Sequence, residues 1–582
     1  MLQVLETASI ENDLRLDGQQ PCGKLEWLED SYRDTGDFWR ALKGAFDARY
    51  AVHGVSALFS RYNFYQDIIV RNRNNTAPAL CWYDLASGFR SISYSELGAI
   101  ATAKAGFWAR LGLRPGQTLC IIRPMGLEMA VELLAALKTG CRISFLHPQG
   151  KGFLQRRLEA LKPDHIIIDE RYLPLLSVWS KLVLAEGDVG KNIHHEREQS
   201  FTYPSGQVVF SCFNPCGPEP HVPTDITSDA AYLCALRDGV IALGLGPGQV
   251  YAAPGFHFME THPALLLAGL LCGATYLHLM PKDIAANPEL VVQQPIKAFG
   301  VSRKVRDILL EKKVDAGISW ECWFRNPAES QDLEQWHSFV RSLKLEKAFA
   351  FNLRLDSALG GCSLFSIRRK GMAHMNVMPV PGGAWCLGDL SGGDFASFTD
   401  IGTYSLSAPG APEEEKRVTA DIIAKNGHEW IFAGINTFHR EGRIFPVEEI
   451  LLSLRDMEAR YRFFCSIVDV PLIDPGSGHR IVLLVFRGAN TGVNEARLLS
   501  EIRSVITREM GDEFQPDKVE FFPMYPRFLS VTEVDHQWCC SQYLTGALFR
   551  RSRGEIFRCI TRLRECIIKM EDVEGKHWPE VQ

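Results

Sequence analysis

A seven-residue phrase occurs twice in this chain, and it limits what the chain can fold into more than any other feature. Residues 111–117 read LGLRPGQ and residues 243–249 read LGLGPGQ. Each copy is followed by a short apolar run (Leu119–Ile122; Val250–Ala253), a proline (Pro124; Pro254) and an apolar stretch closed by glycine (MAVELLAALKTG; ALLLAGLLCG). From opening leucine to closing glycine the copies measure 29 and 30 residues, Leu111 to Gly140 and Leu243 to Gly273. A shared phrase at matched spacing predicts one structural unit built twice.

The unit reads as α-β-α-β. Leu97–Leu111 carries apolar residues at helical spacing and stops at Gly112. Pro115-Gly116 makes a turn, and the run that follows is short and apolar enough for a strand inside a parallel sheet. A second helix ends on its C-terminal glycine and leads to another buried strand, Ile143–Leu146. Alternation of this kind makes a layered α/β domain with helices on both sheet faces. Its ligand site belongs beyond the carboxyl ends of the strands, at loops such as Pro124–Glu128 and Pro254–Glu260. Val380–Gly410, rich in Gly, Pro and Ser with short β-like runs, predicts a smaller β-rich subdomain. After Gly434–Gly442 a compact α/β pattern begins: helix Val447–Glu458, strands Cys465–Val470 and Ile481–Phe486, helix Asn494–Met510 and strand Val519–Phe522. The tail from Arg550 has helical spacing.

At 582 residues the chain exceeds one compact core, so two or three units are expected. A formal charge of -6 gives no basic field and implies no nucleic-acid partner. Glu6, Glu11, Asp13 and Asp17 interrupt the first thirty residues, so no signal peptide is expected. The longest apolar stretch, Pro263–Ala274, falls short of the roughly 20 residues of a membrane span. The sixteen cysteines lie scattered in apolar surroundings (Cys141, Cys272, Cys465), as reduced core thiols do in a cytoplasmic protein. His194 and His195 before Cys212 and Cys216, and the adjacent Cys539-Cys540, lack the spacing of a closed zinc site.

The order of these parts resembles the adenylate-forming superfamily of acyl-CoA synthetases, peptide-synthetase adenylation domains and luciferase. Tyr94-Ser95-Glu96-Leu97 is similar to its YxEL, LGLRPGQTL to its LGLxPGDRV, Pro124-Met125-Gly126-Leu127-Glu128 to its PNSxE loop, and LLAALKTGC to its LLAALKAGA. Pro254-Gly255-Phe256-His257 resembles PxFH, and Thr419-Ala420-Asp421 followed by Phe432-Ala433-Gly434-Ile435 resembles TGD followed by FxGR. Arg443–Ile450 resembles RIxPxEIE, and Val519-Glu520-Phe521 with Pro526-Arg527 resembles VEFVDELPRT. The likeness covers roughly residues 60–550.

The resemblance implies a large N-terminal domain of two similar layered α/β subdomains plus a small β-rich subdomain, followed by a small α/β lid. The corresponding boundaries are 1–60 for an N-terminal extension, 61–435 for the large AMP-binding-like domain, 436–550 for the lid and 551–582 for a helical tail. It also implies an AMP-forming acid–thiol ligase that uses Mg-ATP, a small carboxylic acid or acyl group, and CoA or the phosphopantetheine of a carrier protein or other biosynthetic partner. By this likeness Thr419 and Asp421 would hold the ribose, Gly217 would belong to the phosphate loop, and Phe256 and His257 would line the acyl pocket. His257 reads equally well as a half-buried ring on a loop. Asp356 falls where the family places its metal-binding glutamate; a magnesium ligand and a helix N-cap are both open to it.

Several phosphate-handling residues depart from the family pattern. Where the family has TSGSTGxPKG, Ser211–His221 keeps one glycine, carries three prolines that remove N–H donors, and ends in histidine where lysine belongs. The arginine after TGD is Ile435, and the hinge position falls near Thr437. The lid lysine is replaced by Thr532, or, with an insertion, by Ala547. Two readings follow: a homologue with reduced or absent ATP chemistry that keeps a pocket or a scaffold role, and an active but divergent AMP-forming ligase.

Overall fold

The computed structural model describes residue 28 and residues 30–49, 60–184, 199–214, 221–256 and 263–552. Short stretches within the last range stand outside the description: 313, 315–317, 330–332, 373–375, 390–399, 412–414, 427–428, 436–437, 441–442, 472–478, 488–493 and 531–532. The chain divides into two compact units, one of residues 1–148 and 156–444 and one of residues 149–155 and 445–582.

In chain order the larger unit begins with helix α1 (Thr35–Arg49), strands β1 (Pro78–Asp84) and β2 (Gly88–Ser93), and helix α2 (Tyr94–Arg110). The first repeat supplies β3 (Thr118–Ile122), α3 (Leu127–Thr139) and β4 (Arg142–Leu146). Then come β5 (His165–Ile168), β6 (Val208–Phe213), β7 (Pro223–Thr227) and α4 (Ser228–Arg237). The second repeat supplies β8 (Val250–Ala252), α5 (Ala264–Leu271) and β9 (Thr275–His278). After it lie β10 (Ile296–Gly300), α6 (Arg303–Lys312), β11 (Cys322–Arg325), α7 (Leu333–Ser342), β12 (Phe349–Asp356) and β13 (Gly361–Phe365). A four-stranded antiparallel meander closes the unit: β14 (Trp385–Asp389), β15 (Asp400–Ser407), β16 (Lys416–Asn426) and β17 (Glu429–Ile435).

The strands of the first repeat lie in a five-stranded sheet of order β5-β3-β4-β6-β7, those of the second in a ten-stranded sheet that runs β13-β12-β11-β10-β8-β9-β1-β2 through its centre. The two copies are nevertheless built alike. β3 pairs parallel with β4, and β8 with β9. In the turn, Arg114 N–H donates to Gln117 Oε1 at 2.7 Å, and Gly246 N–H to Gln249 Oε1 at 2.8 Å. Gly116 N–H reaches the Gly140 carbonyl at 2.8 Å, and Gly248 N–H the Gly273 carbonyl at 3.0 Å. Arg142 N–H and Thr275 N–H each donate to the glutamine carbonyl of their own turn at 2.9 Å. Gly116 and Gly248 have φ of 82° and 73°, a region glycine enters without the steric cost of a Cβ. The duplicated phrase thus encodes a duplicated hydrogen-bond circuit.

Helix α2 begins earlier than its apolar spacing suggests, because Ser93 and Glu96 form a reciprocal capping box. Helix α3 is buried from Met129 to Thr139, which suits its largely apolar sequence. The N-terminal extension contains a helix that belongs to the core: Phe38, Trp39, Leu42 and Phe46 of α1 are all buried. Trp39 Nε1 donates to the Gly382 carbonyl at 2.8 Å, and the Phe38 and Trp39 rings lie where a Cβ on Gly382 would stand.

The smaller unit contains α8 (Val447–Tyr461), β18 (Phe463–Pro471), β19 (His479–Arg487), α9 (Glu495–Met510), β20 (Lys518–Phe522) and α10 (His536–Leu544). β19 is central, antiparallel to β18 and parallel to β20. Leu498, Ile502, Ile506 and Met510, four residues apart along α9, are all buried, as helical spacing predicts. Among the described residues no helix is long and apolar enough to cross a membrane.

Candidate functional site

Three of the residues singled out in the larger unit, Asp356, Thr419 and Asp421, come together where the ends of β12 and β6 meet strand β16 of the meander. Strand β12 carries Asn352, Arg354 and Asp356, and β13 turns back antiparallel beside it. Asp356 ends the strand. Its Oδ1 accepts the N–H of Ala358 at 2.9 Å, capping a short 3-10 turn, and the side-chain amide of Asn214 at 2.7 Å. Asn214 directly follows β6, so this bond ties the start of the expected phosphate loop to the end of β12. Of the two roles open to Asp356, the cap contact is formed. Gly217 lies outside the described residues.

Asp421 sits on β16, and its carboxylate meets Arg354. The guanidinium donates from Nη2 to Oδ1 at 2.8 Å and from Nε to Oδ1 and Oδ2 at 3.1 and 3.2 Å. Both side chains are buried, and the Arg354 guanidinium lies 6.0 Å from the centre of the Phe432 ring. Thr419 orients the strand from within: its hydroxyl donates to the Tyr404 carbonyl at 2.9 Å and accepts the Asp421 N–H at 3.2 Å. Burial first, and then the neighbouring Asp421 charge, push the Asp356 carboxyl up to about 6. Arg354 and Arg417 pull in the opposite direction without cancelling that rise. The fold therefore brings Thr419, Asp421 and Asp356 together, with Arg354 and Asn214 as their immediate partners.

The sequence gives no role to Arg354 or Asn214. One signal was available for Arg354: it stands in Phe349–Leu355, an otherwise largely apolar strand, and a charge there requires a partner. Phe256 lies elsewhere on the strand ends. Its ring meets Phe324 edge-on at 5.2 Å, and Phe324 stacks on Phe351 at 5.4 Å. Gly300 makes room for this row, since a Cβ there would stand 2.9 Å from both the Phe256 and Phe324 rings. His257, Thr437 and Thr532 lie outside the described residues, and Ala547 is buried in the smaller unit.

Among solved structures, the amide bond synthetase McbA from Marinactinospora thermotolerans superposes with a TM-score of 0.64 at 12% identity, covering 83% of this chain and 100% of that one. The chain has the adenylate-forming fold. Acetoacetyl-CoA synthetase from Streptomyces lividans shares this fold with a TM-score of 0.61 at 14% identity, covering 92% of each chain. The fatty acyl-adenylate ligase from L. pneumophila, solved with acyl adenylate and pyrophosphate, gives 0.57 at 14% identity over 84% of this chain and 96% of that one. No family model matches the sequence, and no curated protein matches it. The adenylate-forming fold, with a large N-terminal part and a smaller C-terminal one, is the architecture the resemblance implies.

Proposed function

We propose that this chain is an AMP-binding, acyl-adenylate-forming ligase homologue whose ATP chemistry is reduced or lost, and which keeps an acyl or adenylate pocket for binding or as part of a scaffold. The observation that carries this reading is the buried Arg354–Asp421 pair. In the role the resemblance implies, Asp421 would use its oxygens to accept ribose hydroxyls; here three N–H contacts from one guanidinium already reach them. Asp356, the counterpart of a metal ligand, accepts two hydrogen bonds from the protein and has a raised pKa, whereas magnesium selects an ionised carboxylate. These residues do not suit Mg-ATP held in the manner of the family. The aromatic row Phe256–Phe324–Phe351 supports the retained pocket, offering flat apolar surface to an acyl chain. CoA or a phosphopantetheine carrier would be the thiol partner if transfer chemistry survives.

The test is Mg-ATP calorimetry beside ATP–pyrophosphate exchange with fatty, aromatic and amino acids. Each lost charge-assisted contact weakens binding by roughly 1.5–3 kcal/mol, so several losses together should put Mg-ATP out of micromolar range. Exchange that depends on one of the acids, or micromolar Mg-ATP affinity, would overturn the reading and establish the divergent AMP-forming ligase instead.

A further inference from the structure

The smaller unit is not built from the end of the chain alone. Residues 149–155, far upstream, belong to it and not to the larger unit. They read Gln149-Gly150-Lys151-Gly152-Phe153-Leu154-Gln155, and from Lys151 onward they open a helix, Lys151–Leu161. Within this one helix, 151–155 belong to the smaller unit and 156–161 to the larger. Glycine is a poor helix former, so Gly150 and Gly152 at a helix start need another reason.

That reason is close approach of chain to chain. A Cβ on Gly150 would overlap the peptide that joins Glu509 to Met510 at the end of α9. A Cβ on Gly152 would stand 2.7 Å from Glu509 Oε2. Gly511, with φ of 101°, comes equally near: a Cβ there would lie 3.5 Å from the Cβ of Gln149. Phe153 then stacks on Phe514, with 5.8 Å between ring centres and 26° between planes. Phe445 meets the same Phe514 ring at 6.2 Å and 71°. Phe153, Phe445, Met510 and Phe514 are all buried. Shape and apolar burial thus seat these seven residues of distant chain against the end of α9.

We propose that residues 149–155 are a strap, which must leave its seat before the smaller unit can turn as a lid turns. A domain joined by one linker swings through a few residues that absorb the change in φ and ψ. Here the chain crosses between the units three times, at 148–149, 155–156 and 444–445. The middle crossing lies inside a helix, which offers no such freedom while its hydrogen bonds hold. Turning of the smaller unit therefore requires Phe153 to give up Phe514, or the first turn of the helix to open.

The experiment starts from the purified full chain and needs no nucleotide, so its outcome is independent of the fate of ATP chemistry. A specific protease site is inserted between Ile444 and Phe445, and the folded protein is cut there. The two pieces are then diluted and followed by gel filtration. They are expected to stay together, because the strap remains part of the upstream piece. Phe153→Ala and Gly150→Leu should each weaken the association at least about tenfold, as loss of a central anchor does. Phe514→Ala should do the same from the other side of the seat. If Gly150→Leu does not fold, judged by near-ultraviolet circular dichroism before cutting, the two alanine variants decide. The proposal is overturned if the cut wild type falls apart as readily as the variants do, or if the variants hold together as tightly as the wild type.

Discussion

Asp356 is held where ionisation opposes folding. An aspartate in the unfolded chain titrates near ~4, whereas Asp356 is raised to about 6. The folded state therefore binds this proton more tightly, and its contribution to stability is greatest below about 4, falls as pH rises to about 6, and is level above that. Asp356→Asn keeps an oxygen for Ala358 and Asn214 and removes the charge. We expect it to flatten the slope between pH 4 and 6 and to raise stability at pH 8 by about 2–3 kcal/mol. Thermal melts of both proteins across pH 4.5–8 measure this; parallel curves would remove Asp356 from the account. Arg354→Met has the opposite effect, because it strands the buried Asp421 charge. A loss of about 3–5 kcal/mol is expected in urea unfolding, with much of it recovered in Arg354→Met/Asp421→Leu. Asp421 and Thr419 were legible in the sequence only through their likeness to a known motif. Arg354 was not, because its partner is 67 residues away and no local pattern records such a pairing.

Among the elements, the turn of the repeat was legible because its chemistry is local: a proline, a glycine with positive φ and a glutamine that closes on its own turn. Ala at Gly116 or Gly248 should cost about 1–2 kcal/mol each, the penalty of a Cβ in a left-handed conformation. The penalty should be somewhat larger at Gly248, where the new Cβ would meet Ala77 at 3.3 Å, than at Gly116, where nothing lies within 4 Å. Chemical unfolding of the two single variants tests this, and a cost confined to one copy would contradict the equivalence. The sequence did not reveal which sheet each copy joins. β9 pairs with β1, through Tyr276 and Leu80, nearly two hundred residues upstream, and alternation of apolar residues specifies a strand without naming its neighbour.

For the whole molecule, the division into two compact units predicts that unfolding is not one all-or-none event. Trp39→Ala opens a cavity in the larger unit and removes the bond to Gly382, at a cost of about 3–5 kcal/mol. Calorimetry should show the transition of that unit moving down while that of the smaller one stays in place. Movement of both, or of neither, would contradict the assignment. Residues 35–49 had no reading in the sequence, since an amphipathic helix declares an apolar face but not the surface that will cover it.

That helix also has a history during synthesis. Trp39 is made 343 residues before the glycine whose carbonyl receives its N–H. At ordinary ribosomal speeds the delay is on the order of twenty to seventy seconds. Throughout it Phe38, Trp39, Leu42 and Phe46 lack part of their native cover, a sticky stripe on a nascent chain. Whatever shields that stripe on the ribosome would determine how much of the protein reaches its folded state.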